Sequence, residues 1–514
     1  MSTLATSVVQ SVDWVAIAPP AIVAAAALVV LVADLFLPDG RKRPLAWVTL
    51  GGLVLAGLSL LPLLDGDRTT FCLVGSPADC SYVADHFTLV VQLLVLAGAL
   101  IAALLSVHTL DELPAGEFWF LLLSSASGAA LLPASRDLAT LVIALEVTTL
   151  PAFALVGLRR GDRLSSEAAL KFFLSSVAAT AVTLLGVSFV YAATGTLHLG
   201  AMAKGLEGVD PRLDTLAAAG AALTVVGFAF KLAVAPFHFW VPDTYTGAPL
   251  PVAGYLSVVG KAAGFAGLIL VTVVAFRPYA HVWGPAVAVL AALTMTVGNV
   301  AALVQRPDRP RSAVRLLAWS SIGQAGYLLV PIAAAAYTDP DRQVGTTLAY
   351  ALMYGAVNLG AFGVAALVAR TAPQNRLGDY RGLHTGHPFA AAAMAFFLLC
   401  LAGLPPGFIG LFAKVAVFSS AVDADLGWLA AVMAVNVVIA LVYYLRWTAL
   451  LYAKPATEPT GTEETGTEWT GADKAAALRP PRPLSAAIAL TAIVGIALSG
   501  APQLILRFAS GTLL

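Results

Sequence analysis

Four ionisable side chains stand in the middle of long apolar segments. Glu146 lies in LVIALEVTTLPAFALVG, and three lysines lie in segments of similar character, at Lys231, Lys261 and Lys414. A charge at the centre of a bilayer costs about 3 kcal/mol on insertion scales, so such groups mark ion or proton pathways. A buried lysine can load and release a proton near neutral pH, because burial destabilises its charged form. The pattern therefore predicts proton transfer. The alternatives are a structural ion pair for Glu146 and, for Lys414, a stem that reaches the membrane surface.

Weaker candidates accompany these four residues. His238 follows Lys231 by seven positions and shares its helix face if the helix continues. It is then either a proton carrier or a histidine bonded to carbonyl groups that a nearby proline frees. Tyr350, Tyr354 and Asn358 recur every four residues on one segment. This polar stripe predicts either a water-bridged proton wire or contacts that only pack helices together.

Apolar segments that could cross a bilayer make up most of the chain. Of its 514 residues, 59% are hydrophobic and 11% are charged, whereas soluble proteins carry about 25% charged residues. The formal net charge is zero, so nothing indicates a nucleic-acid partner. A membrane-spanning helix needs about 20 apolar residues. We therefore predict an all-α polytopic membrane protein with about fourteen transmembrane helices, at residues 14–36, 45–64, 87–107, 117–134, 137–158, 167–192, 215–240, 251–275, 281–304, 313–336, 344–369, 388–419, 427–450 and 484–508.

An internal similarity predicts how these helices are organised. GFAFKLAV around Lys231 resembles FIGLFAKVAVF around Lys414, and prolines interrupt both segments. Paired broken helices at corresponding positions of two halves indicate the ion site of a transporter. We therefore expect two inverted five-helix repeats that contain broken helices. The predicted domains are three N-terminal helices (1–114), a first antiporter-like repeat (115–275), a second inverted repeat (276–450), a cytoplasmic low-complexity linker (451–483) and a C-terminal helix (484–514).

Positive residues are distributed unequally between two sets of loops. Of the 29 Lys and Arg residues, eighteen lie in one set and seven in the other. Because positive loops stay in the cytoplasm, both termini are expected outside. Cys72 and Cys80 then share an external loop, where they form either a disulfide or two free thiols.

The order of these motifs resembles a known family. FKLAVAPFHFWVPDTYTGAPLPVAGYLSVVGKAAGF, which contains Lys231 and Lys261, is similar to the antiporter-like membrane subunits of proton-pumping NADH:quinone oxidoreductase, respiratory complex I. LEVTTLPAFALVG around Glu146 and SSIGQAGYLLV around Gln324 share the resemblance, which covers residues 85–450. Lys414 favours subunit N over subunit M, where a glutamate is usual.

The resemblance implies a role for each charged residue. Glu146 would pair with Lys231 in a first half-channel. Lys261 would be the central relay, and Lys414 would deliver protons to the outside. The chain departs from the family at Gln324, where histidine is common. Glutamine does not titrate, so proton transfer past this point would use water.

The resemblance also implies a setting. The chain would be a proton-translocating subunit in the plasma membrane, in contact with lipid and with other membrane subunits of complex I. It would hold no cofactor itself, whereas NAD, FMN, iron–sulfur clusters and quinone would bind to partner subunits. The alternative is a stand-alone Na⁺/H⁺ antiporter subunit of the Mrp type.

Overall fold

Apolar helices make up nearly all of the chain that the computed structural model describes, which is residues 12–38, 41–73, 76–107, 113–454 and 480–507. Most of the predicted linker, residues 455–479, lies outside these ranges. The helices are α1 (Ala18–Phe36), α2 (Arg43–Leu58), α3 (His86–Ser106), α4 (Ala115–Leu131), α5 (Leu138–Val156), α6 (Arg163–Thr194), α7 (Leu199–Glu207), α8 (Asp214–Lys231), α9 (Trp240–Gly247), α10 (Leu250–Tyr255), α11 (Lys261–Ile269), α12 (Ala280–Leu303), α13 (Ser312–Ala334), α14 (Pro340–Ala369), α15 (Leu383–Gly386), α16 (Pro388–Ala402), α17 (Phe408–Asp423), α18 (Gly427–Tyr452), α19 (Arg482–Gly500) and α20 (Gln503–Leu506).

The observed spans agree with the predicted ones. Within the described ranges, thirteen helical runs are long and apolar enough to cross a membrane. The remaining predicted span, 388–419, is divided between α16 and α17. Three runs have the largest share of buried residues and form the centre of the bundle. In an 18-residue stretch of α13, α14 and the run Leu250–Ala275, 94%, 83% and 89% of the residues are buried.

Two helices stop in the middle of apolar segments. α8 ends at Lys231 and α16 ends at Ala402, and a left-handed residue follows each end, Ala233 with φ 58° and Gly403 with φ 82°. At both ends a backbone N–H reaches back five residues to a carbonyl oxygen at 2.9 Å, which satisfies a carbonyl that the helix end leaves free. These breaks confirm the predicted broken helices, although the seventh span ends at Lys231 rather than at residue 240. The division into two inverted repeats stays a prediction.

The segment that carries Lys261 is an irregular helix. It widens to π-helix at Leu256–Gly260 and again at Leu270–Ala275. Isolated π-helical turns are rare and are frequent at functional sites. The first one directly precedes Lys261.

A two-stranded hairpin, which the sequence analysis did not anticipate, occupies the loop between α2 and α3. Strand β1 (Arg68–Leu73) pairs antiparallel with β2 (Ser76–Ala84), and a disulfide joins Cys72 to Cys80 across the strands. The hairpin packs on the start of α5, because Tyr82 forms a backbone bridge with Ser135. Burial raises the pKa of Tyr82 to about 12, so its hydroxyl keeps its proton at neutral pH.

Ion pairs fall at both ends of the helix bundle, in or near loops that alternate along the chain. This alternation agrees with the two predicted sets of loops. At one end the pairs are Arg68–Asp13, Arg136–Asp85 and Arg342–Asp423, and at the other they are Lys42–Asp34, Arg160–Glu117, Lys171–Asp243 and Arg315–Asp243.

Candidate functional site

Lys231 at the end of α8 forms an ion pair with Glu146 in the middle of α5. Its Nζ lies 3.1 Å from Oε1 of Glu146, and it also donates to Ser176 Oγ at 2.6 Å and to Thr149 Oγ1 at 3.4 Å. Thr180 donates a further hydrogen bond to Oε1 of Glu146, at 2.7 Å. The Lys231 side chain is 4% exposed and that of Glu146 is 23% exposed, so the carboxylate is the more accessible partner. All three ammonium hydrogens have acceptors, and Lys231 can therefore pass a proton elsewhere only after one contact breaks.

Glycines allow the close helix packing that brings Lys231 to its partners. Gly227 lies one turn before Lys231, and a Cβ atom there would overlap the side chain of Thr183 on α6. Gly186 and Gly220 meet at a second close approach of α6 and α8, where a Cβ on Gly220 would lie 2.8 Å from Gly186 O. Small residues let helix backbones approach closely in membranes. The sequence thereby places the end of α8 against α6, which carries two hydroxyl partners of the ion pair.

A network of ion pairs lies at the end of the bundle nearest to this site. Asp243 on α9 accepts from Lys171 Nζ at 2.7 Å and lies 3.3 Å from Nη2 of Arg315. Lys171 also pairs with Glu167 at 2.7 Å. These side chains are 36% to 48% exposed, so the network is at the surface and joins α6, α9 and α13.

An aromatic pair separates this surface network from the interior. Phe172, next to Lys171 in the chain, stacks on Trp240 with ring centroids 4.4 Å apart and planes at 9°. Trp240 Nε1 donates to the carbonyl oxygen of Phe230 at 3.2 Å, which fixes the indole against the end of α8. Both rings line the cavity that contains Lys231.

That cavity, of about 30 Å³, connects Lys231 with Lys261. Ser125, Thr149 and Tyr255, which carry hydroxyl groups, are among the residues that line it. A water molecule needs about 10–15 Å³ of such space and two to four polar partners. The cavity therefore has room for water, and its lining includes both lysines and side chains with hydroxyl groups.

Lys261 is buried, and no carboxylate in the described ranges lies within ion-pair distance of it. Its Nζ donates to the backbone oxygen of Ser321. The Ser321 hydroxyl accepts from Tyr354 at 2.8 Å, and Asn358 donates to Ser257 Oγ at 2.7 Å. The predicted polar stripe on α14 thus faces the interior, beside Lys261.

Gln324 on α13 links the stripe to Lys414. The Tyr350 hydroxyl donates to Gln324 Oε1, and Gln324 Nε2 donates to Tyr444 OH at 3.2 Å and to Leu401 O at 3.4 Å. Lys414 Nζ donates to the same Leu401 oxygen at 2.7 Å and to the next carbonyl oxygen at 2.8 Å. These are the last carbonyls of α16, which lack helical partners and carry partial negative charge. The helix break therefore creates the binding site of the Lys414 ammonium.

His238 makes no hydrogen bond or ion pair with the pathway residues in the described part of the chain. It follows the end of α8, so the continuous helix face that would join it to Lys231 does not form. Its ring lies 5.5 Å from that of Trp319, and its Nδ1 has no hydrogen-bond partner in the described ranges. Its role stays a prediction.

The hydroxyl groups that bond the ion pair or belong to residues lining the cavity were missed by sequence reasoning. Ser125, Thr149, Ser176, Thr180 and Tyr255 lie on transmembrane helices, where Ser and Thr can also bond the carbonyl four residues earlier. Their occurrence alone therefore gives no indication of a site. Within the described ranges, no three His, Cys, Asp or Glu side chains are grouped as a metal site would require.

The chain is similar to known proteins of one family. The profile of a family described as NADH:quinone oxidoreductase/Mrp antiporter, TM matches residues 135–440. NADH-quinone oxidoreductase subunit N 2 of Streptomyces griseus is 70% identical, over 99% of this chain and 95% of the relative. NADH-quinone oxidoreductase subunit N of Salinispora tropica is 43% identical, over 98% of this chain and 100% of the relative.

Solved structures share the fold. A chain in a structure of respiratory complex I from Thermus thermophilus with bound aureothin superposes with a TM-score of 0.73 at 32% identity, over 96% of this chain and 100% of that chain. A chain of the Mrp complex from Dietzia sp. superposes with a TM-score of 0.78 at 22% identity, over 96% of both chains, and shows likeness of fold alone.

Proposed function

The chain belongs to the family of NADH-quinone oxidoreductase subunit N, and we propose that it moves protons along its line of buried charged side chains. It is a membrane subunit of an enzyme complex. The Mrp-type antiporter is the less supported alternative, because the relatives at 43% and 70% identity are subunit N proteins. The Mrp structure is similar only in fold.

The ion pair of Lys231 and Glu146 is the observation that carries the proposal. Two unit charges about 4 Å apart attract by about 4 kcal/mol at an effective dielectric constant near 20. The carboxylate therefore favours a proton on Lys231 as long as it is charged and near. When Glu146 is protonated or moves away, this attraction is lost and Lys231 gives up its proton. The pair thus acts as a switch rather than as a fixed packing contact.

Transfer from Lys231 to Lys261 uses water in the cavity between them. The Lys231 ammonium gives one proton to a water molecule, and the same water gives another of its protons to neutral Lys261. One N–H bond breaks at Lys231 and one forms at Lys261, so the water is regenerated and the positive charge moves by one lysine.

The second half of the pathway runs from Lys261 to Lys414. The hydroxyls of Tyr354 and Tyr350 lie along this line, and Gln324 connects it to the Leu401 carbonyl that Lys414 binds. Glutamine does not titrate, so the proton passes this point on water. Lys414 then delivers it to the outside.

The redox reaction takes place in other subunits. NADH oxidation and quinone reduction, with FMN and iron–sulfur clusters, belong to partner subunits of the complex. The chain lies in the plasma membrane with both termini outside, and residues 115–275 and 276–450 form the two inverted repeats.

The test is proton flux per assembled complex in native membrane vesicles. Lys231→Met should abolish the flux, because methionine keeps the bulk of the side chain and carries no proton. Lys204→Met on α7 replaces an exposed lysine and is the matched control. Normal flux in Lys231→Met would refute the proposal, because the buried charge would then be structural only.

A further inference from the structure

Two consecutive hydrogen bonds join three residues that line the cavity, Tyr255, Ser125 and Thr148. The Tyr255 hydroxyl, at the end of α10, donates to Ser125 Oγ on α4 at 2.8 Å. Ser125 donates in turn to the backbone oxygen of Thr148 on α5 at 2.6 Å. Tyr255 is six residues before Lys261, and Thr148 is two residues after the carboxylate that holds Lys231. These two hydrogen bonds therefore tie the helical segment that carries Lys261 to α5, which carries the carboxylate partner of Lys231.

The other polar groups of the wall are already occupied. The Thr149 hydroxyl donates to Leu145 O and accepts a hydrogen bond from Lys231 Nζ. The Thr148 hydroxyl donates to Ala144 O. Tyr255 differs, because its O–H is fixed on Ser125 and its oxygen receives no hydrogen bond from the described part of the protein. A phenol oxygen has acceptor capacity beyond the bond that its own hydrogen makes. Tyr255 is one of the residues that line the cavity, together with both lysines.

We propose that Tyr255 is a positioning residue that holds the bridging water between Lys231 and Lys261, and that Ser125 fixes the orientation of Tyr255. This inference rests on the proposed proton transfer between the two lysines. The water donates one hydrogen bond to the Tyr255 oxygen, which leaves its lone pairs for the incoming proton and its other hydrogen for Lys261. A water with this orientation can accept a proton from Lys231 on one side and donate a proton to Lys261 on the other.

Tyr255 orients the water and does not itself carry the proton. Its chain of hydrogen bonds ends at the Thr148 backbone carbonyl, which has no proton to pass on. A phenol also keeps its proton at neutral pH. The competing explanation is that the Tyr255–Ser125 bond only packs α10 against α4. In that case loss of the bond would lower the amount of assembled complex without slowing transfer in the complexes that remain.

The experiment compares variants in the assembled complex in native membrane vesicles. Proton flux per assembled complex is followed with a fluorescent pH probe, in H₂O and in D₂O. Tyr255→Phe keeps the ring and removes the oxygen, so flux should fall about fivefold, the value of one hydrogen bond. Its solvent isotope effect should rise, because proton transfer becomes slower than the other steps. Ser125→Ala should slow the flux in the same direction.

Two control substitutions remove similar hydroxyls elsewhere. Tyr380→Phe removes a buried hydroxyl that donates to Asn375 at 2.8 Å, away from the cavity. Ser106→Ala removes one that bonds only its own helix, at 2.7 Å from Ala102 O. Both should pump like the parent. Because Ser125 acts through Tyr255, the double variant Tyr255→Phe/Ser125→Ala should pump no worse than Tyr255→Phe alone.

Other results would contradict the positioning role of Tyr255 or the proposed function. Parental flux per complex in Tyr255→Phe, or a reduced amount of complex with an unchanged isotope effect, would overturn the positioning role. If Tyr255→Phe fails to assemble, parental flux in Ser125→Ala overturns it instead. Parental flux in Lys231→Met would overturn the proposed function itself, so the two failures are distinguishable.

Discussion

Gln324 and Lys414 donate hydrogen bonds to one carbonyl oxygen, that of Leu401, at 3.4 Å and 2.7 Å. The oxygen is available because α16 ends one residue later, so no N–H of a following helical turn donates a hydrogen bond to it. The break at Gly403 therefore does more than interrupt a helix. It supplies an acceptor for the ammonium and brings the buried amide of Gln324 to the same atom. An amide so placed can order water near Lys414, although it cannot take up the proton itself.

The first prediction concerns the proton of Lys231. Lys231→Arg should keep a positive charge beside Glu146 and still lose proton flux, because arginine is not deprotonated in proteins. Positioned proton transfer contributes about 10²-fold or more, so flux per assembled complex should fall by about that factor. The measurement uses vesicles driven by NADH. Flux at the parental rate would mean that position 231 needs only a fixed charge.

The second prediction concerns the contact of Gly227 with Thr183. Gly227→Ala should force α8 away from α6 and so withdraw Lys231 from Ser176, because the new methyl group meets the threonine side chain. Overpacking of this kind costs about 1–3 kcal/mol. We expect a lower thermal stability of the purified complex together with a lower flux per complex.

Gly57→Ala on α2 is the matched control, since nothing lies within 4 Å of its new methyl group. Alanine favours a helix over glycine by about 0.5–1 kcal/mol, so this variant should be no less stable than the parent. Equal thermal stability and equal flux per complex in Gly227→Ala and Gly57→Ala would contradict the packing argument.

Sequence reasoning located the charges of the site but not their surroundings. Glu146 and the three lysines were found because a buried charge is costly and therefore rare in apolar segments. Prolines gave the positions of the helix breaks, but the end of α8 at Lys231 depends on backbone geometry at Ala233. The hydrogen-bonded hydroxyls were missed, since a helical serine or threonine is common whether or not it contacts a lysine. The hairpin was missed because its strands, of 6 and 9 residues, are far shorter than an apolar segment of about 20 residues that could span a membrane.

The third prediction concerns the disulfide of the hairpin. Alkylation of the denatured, unreduced protein should modify one of its 3 cysteines, Cys400, because Cys72 and Cys80 are joined. Reduction before alkylation should expose all of them. A Cys72→Ser variant is the control, in which Cys80 and Cys400 should both react without reduction. Three adducts in the unreduced parent would show that the bridge does not form.

The fourth prediction concerns orientation. Eighteen of the 29 Lys and Arg residues lie in one set of loops, which the positive-inside rule assigns to the cytoplasm. Alkaline phosphatase, which is active only outside, should therefore be active when fused after Leu514. The same reporter inserted after Gly161, in the loop that follows α5, should be inactive. The reverse pattern would invert the topology and with it the direction of the pathway.

The last prediction treats Glu146 and Lys231 as one unit. Glu146→Gln should impair proton flux, because the amide has no charge to hold the proton on a lysine whose side chain is 4% exposed. Lys231→Met removes the group that carries the proton. If the two residues act together, the double variant should be little worse than the more defective single variant, whereas independent defects would multiply. The measurement is flux per assembled complex in the parent, both single variants and the double variant, so that a loss of assembly is not counted as a loss of transfer. A structural ion pair would give the opposite result. Glu146→Gln would then lower the amount of complex, since a buried ammonium would lose its counter-charge, but each complex that forms would pump at the parental rate.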